Sequence, residues 1–534
     1  MFCKDFKERN MPILNDTLPN KRLTVNEGAD SPILRHDPKW TIDYARTYCK
    51  SPSKERLIVQ NLRDFIDSDI DNTIALVAGI RQIGKTIALK QLWASYPGAV
   101  YIDLSAEGVG SAVIEDEFLD KPTGLLLLDE VVNLDDYEQV LQRIFNASRT
   151  HGFKVVMTGS SPAHITKLSV SKLGGRSRLF RLPPIMFIEY LYMTGRISDY
   201  YNYDCVTNED FANYLLMENL KDLRIQFDTR YFDTFYREIE IGNEKRYMSH
   251  SLVDLKENDL LHMCDLIAYK LNEATSYNKS IGHKLNVGGK EYNSLNTLKD
   301  VTTTKWGKID LSDAFLTESK AAVQRISVKD KARILHFLLW SGIASMEFEQ
   351  KSDVDILPKT GDVLSLLKNC KKPSELIDLF DEVSICLTSP LFYTRLGVDI
   401  TSKMGVDVRN LCRGDMLGKM LEVYVRGAIT KHSIKPIMSS IKLKFEADGL
   451  GEVDIYESVK ELLLETTCSD KDNSDIHVCE YLRDVPLIRV CSTETKDNSE
   501  DISAHGFYKI PYAKLCCMID TGTVFELEKT LGAQ

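Results

Sequence analysis

The sequence predicts an α/β protein whose first folded part is a parallel β-sheet covered by helices on both faces. Apolar runs typical of buried strands occur at 74–78, 99–104, 124–128 and 153–157. Segments with apolar residues at helical spacing precede or separate most of these runs. Strands that alternate with helices form parallel sheets, because each crossover returns the chain to the same edge. The helices predicted in this part are 54–65, 86–95 and 137–149.

The stretch that joins the first strand to its helix has the spacing Gly-x-x-x-x-Gly-Lys-Thr over residues 79–86. This is the full signature of a phosphate-binding loop, in which two glycines let backbone N–H groups turn towards a phosphate. The helix that follows adds the positive end of its dipole. Lys85 is expected to reach the β- and γ-phosphates, and the hydroxyl of Thr86 is expected to bind Mg²⁺. The residues predicted to bind the nucleotide are Gly79, Ile80, Arg81, Gln82, Ile83, Gly84, Lys85 and Thr86.

A second stretch, 124–130, is an apolar strand that ends in two acids. In phosphate-loop NTPases the acid that ends such a strand holds Mg²⁺, and Asp129 has that position. Glu130 is then placed to polarise a water for attack on the γ-phosphate. An apolar strand that ends in solvated acids is common, but its occurrence with a complete phosphate loop is not. The two motifs together predict a chain that binds ATP with Mg²⁺ and hydrolyses it.

The composition limits the other classes of function. The net charge is −11, so any surface for nucleic acid must be local. No apolar run approaches the roughly 18–20 residues that cross a membrane, and the charged N-terminus lacks the apolar core of a signal peptide. The 12 cysteines show no C-x-x-C pairs, which favours reduced thiols over zinc or a disulfide framework. We therefore expect a cytoplasmic protein with no membrane contact.

Two further motifs accompany the phosphate loop and the acidic strand. They are VVMTGSS at 155–161 and GGRSRLFRLPPIMFIEYL at 174–191. The four motifs together resemble one branch of the AAA+ ATPases, whose prokaryotic members carry a C-terminal domain that resembles restriction endonucleases. The most distinctive part is the Gly-Arg pair followed by R-L-x-P-x-x-F-x-E-Y.

The resemblance implies roles for three further residues. Ser160 or Ser161 would sense the γ-phosphate. Arg176 would act near that phosphate, in cis or from a neighbouring subunit of a homo-oligomer. A cation is useful there because charge accumulates on the oxygens of the transferred phosphoryl group. The alternative for Arg176 is a solvated arginine on a loop.

Residues 191–375 differ from the part before them, since they are rich in Tyr, Asp, Asn and Lys. Apolar stripes predict helices at 259–274 and 328–342. In the resembled family this region carries a winged-helix module, whose second helix corresponds to 327–341 here. One side of that helix is basic, which fits DNA contact and an ordinary solvated face equally well. Its basic residues are Lys320, Arg325, Lys329, Lys331 and Arg333.

Residues 376–534 carry a second candidate site. A predicted helix at 415–425 is followed by strands at 441–445, 452–455 and 461–465, an order that resembles the core of restriction endonucleases. In such nucleases acids hold Mg²⁺, and a lysine two residues after the last acid activates water. The acids that the resemblance assigns to the metal are Glu422, Asp454 and Glu465.

The expected lysine is absent, because residue 467 is threonine. Lys442 or Lys444, on the adjacent predicted strand, offers another source of a lysine. The alternative is a domain derived from a nuclease that no longer cuts and serves as a docking or DNA-binding platform.

The sequence thus predicts a leader at 1–50, a parallel-sheet ATPase domain at 51–190, a helical or winged-helix-like region at 191–375 and a nuclease-like α/β domain at 376–534. The predicted function is ATP binding and hydrolysis that controls the last domain. An ATP-regulated, metal-dependent DNase and a non-cutting nucleotide switch that acts through protein contacts stay open as alternatives. The expected partners are ATP, DNA through the middle and C-terminal regions, and further copies of the chain.

Overall fold

The computed structural model of the chain describes two β-sheets and the helices that pack on them. The first sheet uses residues up to 181, and the second uses residues from 296 onward. The described residues are 33–35, 55–68, 73–80, 83–106, 109, 124–134, 137–159, 161–171, 173–218, 220, 296–297, 338–351, 382–392, 414–432, 439–445, 451–457, 462–466, 487–491 and 508–526.

The first sheet has six strands in the order β1-β3-β4-β5-β2-β6. All neighbouring pairs are parallel except β1 with β3. The carboxyl ends of β2 to β6 therefore lie along one edge of the sheet. Its strands are β1 (Ile33–Arg35), β2 (Ile74–Ala78), β3 (Ala99–Asp103), β4 (Leu125–Asp129), β5 (Lys154–Gly159) and β6 (Ser177–Arg181).

Helices cover both faces of this sheet, which explains why its strands are continuous apolar runs. Ala75 and Val77 of β2 pack in the core under α1 and α2, whereas Leu76 and Ala78 pack in the core under α3 and α4. The helices of this part of the chain are α1 (Leu57–Ile66), α2 (Lys85–Ser95), α3 (Tyr137–His151), α4 (Pro162–Ser171), α5 (Phe187–Thr194) and α6 (Asn208–Leu215).

The second sheet has eight strands in the order β14-β13-β12-β11-β10-β8-β9-β7. The helices α7 (Gly414–Lys431) and α8 (Tyr512–Thr521) accompany it. Its strands are β7 (Asn296–Thr297), β8 (Ala344–Lys351), β9 (Glu382–Leu387), β10 (Ser439–Phe445), β11 (Gly451–Glu457), β12 (Leu462–Glu465), β13 (Leu487–Cys491) and β14 (Tyr508–Pro511).

One continuous core joins the two halves of the chain, because α5 and α6 pack against α7 and α8. Phe211 of α6 lies at its centre and is fully buried. Its ring centroid is 5.3 Å from that of Phe187 in α5, 5.4 Å from that of Tyr424 in α7 and 5.8 Å from that of Tyr512 in α8. Edge-to-face aromatic contacts of this kind add to the stabilisation from burial.

The predicted strands and helices of the first sheet lie within a few residues of those observed, but three elements after β5 were not predicted. These are α4, β6, which lies inside the motif at 174–191, and α5, which begins in that motif. The leader predicted at 1–50 also contributes more than an extended segment. Its residues Ile33–Arg35 form β1, which pairs with β3 and closes one edge of the sheet.

The predicted division at residue 375 does not follow the second sheet. β8 lies before that position, in the region predicted to be helical or winged-helix-like, yet it pairs in parallel with β10. The sheet is therefore assembled from both sides of the division. The helix predicted at 259–274 lies outside the described residues, as do most of the helix at 327–341 and its five basic residues.

In the part of the chain that the structure describes, no helix is both long enough and apolar enough to cross a membrane.

Two glycines of α7 are expected to respond in opposite ways to replacement by alanine. A Cβ atom at Gly427 would overlap the backbone carbonyl oxygen of Thr388, whereas nothing lies within 4 Å of a Cβ atom at Gly418. Gly427→Ala should therefore lower the free energy of unfolding by about 3 kcal/mol. Gly418→Ala should raise it by up to about 1 kcal/mol, since alanine is the better helix former. Urea unfolding of both variants measures the difference, and equal effects would show that α7 does not approach Thr388 this closely.

Candidate functional site

The phosphate loop connects β2 to α2 at the carboxyl edge of the first sheet, as the motif predicts. Gly79 is required by a close approach, because a Cβ atom there would lie 2.9 Å from the carbonyl oxygen of Leu182. Gly84 has a φ of +105°, a left-handed conformation that glycine adopts without strain. Arg81 and Gln82 lie outside the described residues. Steric constraints in the loop thus explain why both of these positions are glycine.

Lys85 begins α2, and its side chain is buried inside the loop. Its ammonium group donates hydrogen bonds of 2.7 Å to the carbonyl oxygens of Gly79 and Ile80. Backbone carbonyl dipoles therefore hold the ammonium group within the loop. From this position it can exchange these two acceptors for phosphate oxygens. The next residue, Thr86, is exposed at the start of the same helix.

Asp129 ends β4 and is 2% exposed. One carboxylate oxygen accepts a hydrogen bond from the hydroxyl of Thr158 on β5, and the other accepts one of 3.1 Å from the hydroxyl of Tyr101 on β3. These two neighbours fix the orientation of the carboxylate. Neither of these two contacts was predicted from the sequence, although Thr158 lies inside the motif VVMTGSS.

Glu130 follows Asp129 with a φ of +59°, which places a non-glycine residue in the left-handed region. Such a conformation costs about 1–3 kcal/mol and persists where the surroundings impose it, most often at functional sites. Its backbone N–H lies 3.4 Å from the hydroxyl oxygen of Thr158. The side chain is only partly buried, so a water can reach it.

The residues at this edge fit a magnesium ion. The hydroxyl of Thr86 and the carboxylate of Asp129 are hard oxygen donors, the type that Mg²⁺ takes from proteins alongside substrate phosphates and waters.

The residues that the resemblance assigned to the γ-phosphate lie in different places. Ser161 is buried at the start of α4, beside the carboxyl end of β5, and Ser160 lies outside the described residues. Arg176 lies just before β6, at the amino ends of the parallel strands, because Ser177 pairs with Ile74 at the start of β2. Five strand residues at about 3.3 Å each put it roughly 16 Å from the carboxyl edge.

A second arginine, at the carboxyl end of β6, lies beside the loop. Arg181 ends β6 and pairs with Ala78, the last residue of β2. Part of its side chain reaches the surface, but burial of the charged group lowers the pKa of Arg181 to about 10. It borders, with Gly79 and with Lys431 of α7, a pocket between the loop and the C-terminal half. Arg181 was not predicted to lie at the site, although it lies inside the motif at 174–191.

Arg56 and Glu189 form a buried ion pair behind the phosphate loop. The guanidinium of Arg56 donates hydrogen bonds of 3.0 and 2.6 Å to the two carboxylate oxygens of Glu189. It donates another, of 3.0 Å, to the carbonyl oxygen of Ile83 in the loop. This pair was not predicted, because its members are 133 residues apart. The glutamate of the F-x-E-Y segment was the only signal available for it.

Two of the three acids of the second candidate site have described side chains, and each of these two contacts a cation. Glu422 accepts a hydrogen bond of 2.6 Å from Arg426, one turn further along α7. Asp454 accepts bonds from the backbone N–H and the hydroxyl of Thr466, and its carboxylate lies 3.5 Å from the ammonium of Lys442. Among the described side chains, no group of three potential metal ligands lies together.

The side chain of Glu465 is not among the described ones, so its place in the predicted metal site stays a prediction. The same is true of Lys444. Of the two lysines proposed to replace the missing one, Lys442 lies beside Asp454. Thr467 lies outside the described residues.

A third acid shares the arginine of α7. Glu347 of β8 pairs with Arg426, so one guanidinium bridges Glu347 and Glu422. All three side chains are buried. Burial raises the pKa of Glu347 to about 7, although the charges of Arg426 and Lys442 act in the other direction. This cluster fixes α7 to the second sheet.

One family model matches the part of the chain that contains β2 to β6. The family model described as an AAA domain matches residues 71–191. The uncharacterized protein MJ1544 of Methanocaldococcus jannaschii is 28% identical over 138 residues, which is 24% of this chain and 30% of that protein. The match thus spans less than a third of the relative's length. Over residues 71–191 the chain is therefore similar to AAA domains.

Two solved structures are also similar to parts of the chain. A DNA replication initiation factor shares 13% identity at a TM-score of 0.24, covering 57% of this chain and 96% of that one. AMPPCP-bound DnaA from Aquifex aeolicus shares 15% identity at a TM-score of 0.24, covering 57% of this chain and 91% of that one.

Glu347→Gln is expected to change how stability depends on pH. A folded-state pKa of about 7, above the ordinary 4.5, means that the folded chain binds the proton more tightly. The resulting stabilisation is fully present below pH 4.5 and is lost as the pH rises through 7. At about 1.4 kcal/mol per unit, the unfolding free energy of the wild type relative to the variant should fall by about 3 kcal/mol over this range.

Urea unfolding at several pH values measures this difference. Glu209→Gln, which changes an exposed acid of α6, is the control and should leave the pH dependence as it is. A difference between wild type and Glu347→Gln that is the same at pH 4.5 and pH 8 would contradict the buried cluster.

Proposed function

We propose that this chain binds ATP with Mg²⁺ and hydrolyses it, and that its nucleotide state controls the domain built on the second sheet. One observation carries the first part of the proposal. The loop that encloses Lys85 and the acids Asp129 and Glu130 end parallel strands at the same edge of one sheet. That edge is where nucleotides bind in open α/β sheets.

Each residue then has a task that its surroundings allow. The ammonium of Lys85 exchanges its two loop carbonyls for oxygens of the β- and γ-phosphates. Thr86 and Asp129 hold the magnesium ion, which when bound neutralises charge on the phosphate oxygens. Glu130 accepts a hydrogen bond from the attacking water and so orients it. Ser160 or Ser161, beyond the end of β5, contacts the γ-phosphate.

Arg176 serves a neighbouring copy of the chain in this proposal. Its distance from the carboxyl edge of its own sheet supports a role in trans. Its guanidinium lies 5.2 Å from the ring centroid of Phe145 and is exposed, so it is available to a second subunit. A homo-oligomer in which this edge meets the next nucleotide site would complete each site with one arginine.

The C-terminal domain responds to the nucleotide without cutting DNA in the proposal that we favour. Glu422 is occupied by Arg426, and residue 467 is threonine where the resembled nucleases have lysine. The continuous core between α5, α6, α7 and α8 offers a route for the response. The output is then contact with DNA or with another protein.

One observation favours the second candidate function, an ATP-regulated DNase. Lys442 lies 3.5 Å from Asp454, so β10 supplies a lysine near the acid that would hold a metal. A metal ion beside a lysine can lower the pKa of a bound water and make it a nucleophile.

Lys85→Ala is expected to abolish ATP binding while the chain stays folded, because the loop loses the buried ammonium group that would contact the phosphates. Titration with a fluorescent ATP analogue measures the affinity, and circular dichroism checks the fold. Lys90→Ala is the matched control, since it removes a lysine from the same helix, α2, five residues further on. Unchanged affinity in a folded Lys85→Ala chain would exclude the proposed nucleotide site.

Glu130→Gln is expected to bind ATP as the wild type does but to hydrolyse it at least about a hundredfold more slowly, as the loss of a general base commonly does. Steady-state phosphate release gives the rate. Asp103→Asn, at the carboxyl end of the neighbouring strand β3, is the control and should keep its activity. A Glu130→Gln chain that turns over close to the wild-type rate would assign the water to another residue.

The wild-type chain is expected to nick supercoiled plasmid no faster than Asp454→Ala, in Mg²⁺ or in Mn²⁺, with or without ATP. The reason is the pairing of Glu422 and the threonine at 467. Lys442→Met separates the two candidate functions further. Nicking by the wild type that disappears in both variants would establish the DNase instead.

A further inference from the structure

The side chain of Arg56 joins the phosphate loop to the segment that follows β6. Arg56 donates to the outward-facing carbonyl oxygen of Ile83, and its Cδ lies 3.9 Å from the position of a Cβ atom on Gly84. The same guanidinium donates a 3.0 Å bond to the carbonyl oxygen of Pro183, after β6. A loop that binds phosphate through its N–H groups needs its carbonyls turned outwards. Arg56 fixes one of these carbonyls, so it positions the loop.

Glu189 in turn positions Arg56. Besides its two bonds with the guanidinium, its carboxylate accepts bonds of 3.0 Å from the backbone N–H groups of Leu57 and Met186. Glu189 is completely buried, and its four bonds come from one guanidinium group, which gives two, and from two backbone N–H groups. Its place therefore depends on the place of the first turn of α5, to which it belongs.

The first turn of α5 is capped by the C-terminal half of the chain. The N–H of Phe187 donates a 2.9 Å bond to the hydroxyl oxygen of Tyr424 on α7. The N–H of Ile188 donates a 3.0 Å bond to the carboxylate of Asp520 on α8. Tyr424 also donates its hydroxyl proton to Asp520. Helix N-termini have free N–H groups and a positive dipole end, so a buried carboxylate is a favourable cap.

These contacts form one continuous path of buried and partly buried hydrogen bonds. It runs from Ile83 in the loop through Arg56 and Glu189 to the start of α5, and from there to Tyr424 and Asp520. Each step is a direct contact between atoms, and none passes through an exposed side chain. If the caps are removed, the N–H groups of α5 are left without acceptors in a buried place, which is costly. The first turn then shifts, and Glu189 shifts with it.

We propose that Tyr424 and Asp520 are positioning residues of the nucleotide site, so that triphosphate affinity at the loop depends on the docking of α7 and α8 against α5. This rests on the proposed function, since it assumes that the loop binds ATP. Coupling between two sites is reciprocal. Bound nucleotide must therefore stabilise the docked position of α7 and α8.

The test compares Tyr424→Phe and Asp520→Asn with a matched control in the full chain. Tyr512→Phe is that control, because it also deletes one buried 2.9 Å hydroxyl bond between α8 and the first half of the chain. That bond goes to the carbonyl oxygen of Asn208 on α6, outside the path. Titration with a fluorescent ATP analogue should give a Kd about tenfold higher for the first two variants, as expected for a weakened buried hydrogen bond. The control should change it less than about twofold.

A second measurement needs no change at Tyr424 or Asp520. Hydrogen exchange of the α8 amides in the wild-type chain should slow when ATP is added, whereas exchange in Lys85→Ala should stay the same. This keeps the proposal testable if Asp520→Asn fails to fold.

The outcomes separate the two proposals. Wild-type binding with equal Kd values for Tyr424→Phe and Tyr512→Phe, or with unchanged exchange in α8, overturns this inference alone. No binding by the wild type overturns the proposed function and this inference together.

Discussion

Glu189 is fully buried, and its two oxygens accept four hydrogen bonds that tie the start of α1, the start of α5 and Arg56 together. Breaking such a buried pair by removing one partner costs about 3–5 kcal/mol, because the other charge is left without compensation. Both sheets depend on this contact. On one side it supports the phosphate loop, and on the other it sets the helix turn on which α7 and α8 dock. The two halves of the chain are therefore joined through one continuous core.

The parts of the site that sequence alone predicted are those whose signal is local. The loop 79–86 and the acids after β4 are short motifs with fixed spacing, and the order of strands and helices gives the parallel sheet. The supporting contacts are not local. The caps of α5 come from residues 237 and 332 positions away, and nothing in the sequence of α5 indicates them. The edge strand β1 was missed because three residues carry no readable periodicity.

In the second candidate site, both acids with described side chains have a cation beside them. Glu422 and Asp454 lie on the predicted helix and strand, and they contact Arg426 and Lys442 respectively. The partner of Glu422 was readable, because Arg426 follows it by four residues on the same helix. Glu347 was not, since β8 lies far away in the chain and inside a region predicted to be helical. Sheet topology, which joins distant strands, decides which charges meet.

The cap that Asp520 provides has a consequence for how the chain is made. During synthesis at about 5–20 residues per second, roughly 20 to 70 seconds pass between Ile188 and the carboxylate that its N–H contacts, 332 residues later. Throughout that time the nascent first sheet presents the start of α5, with its apolar and aromatic side chains, to the surroundings. Exposed surface of this kind binds other chains and chaperones. The start of α5 is therefore translated long before the residues that cap it.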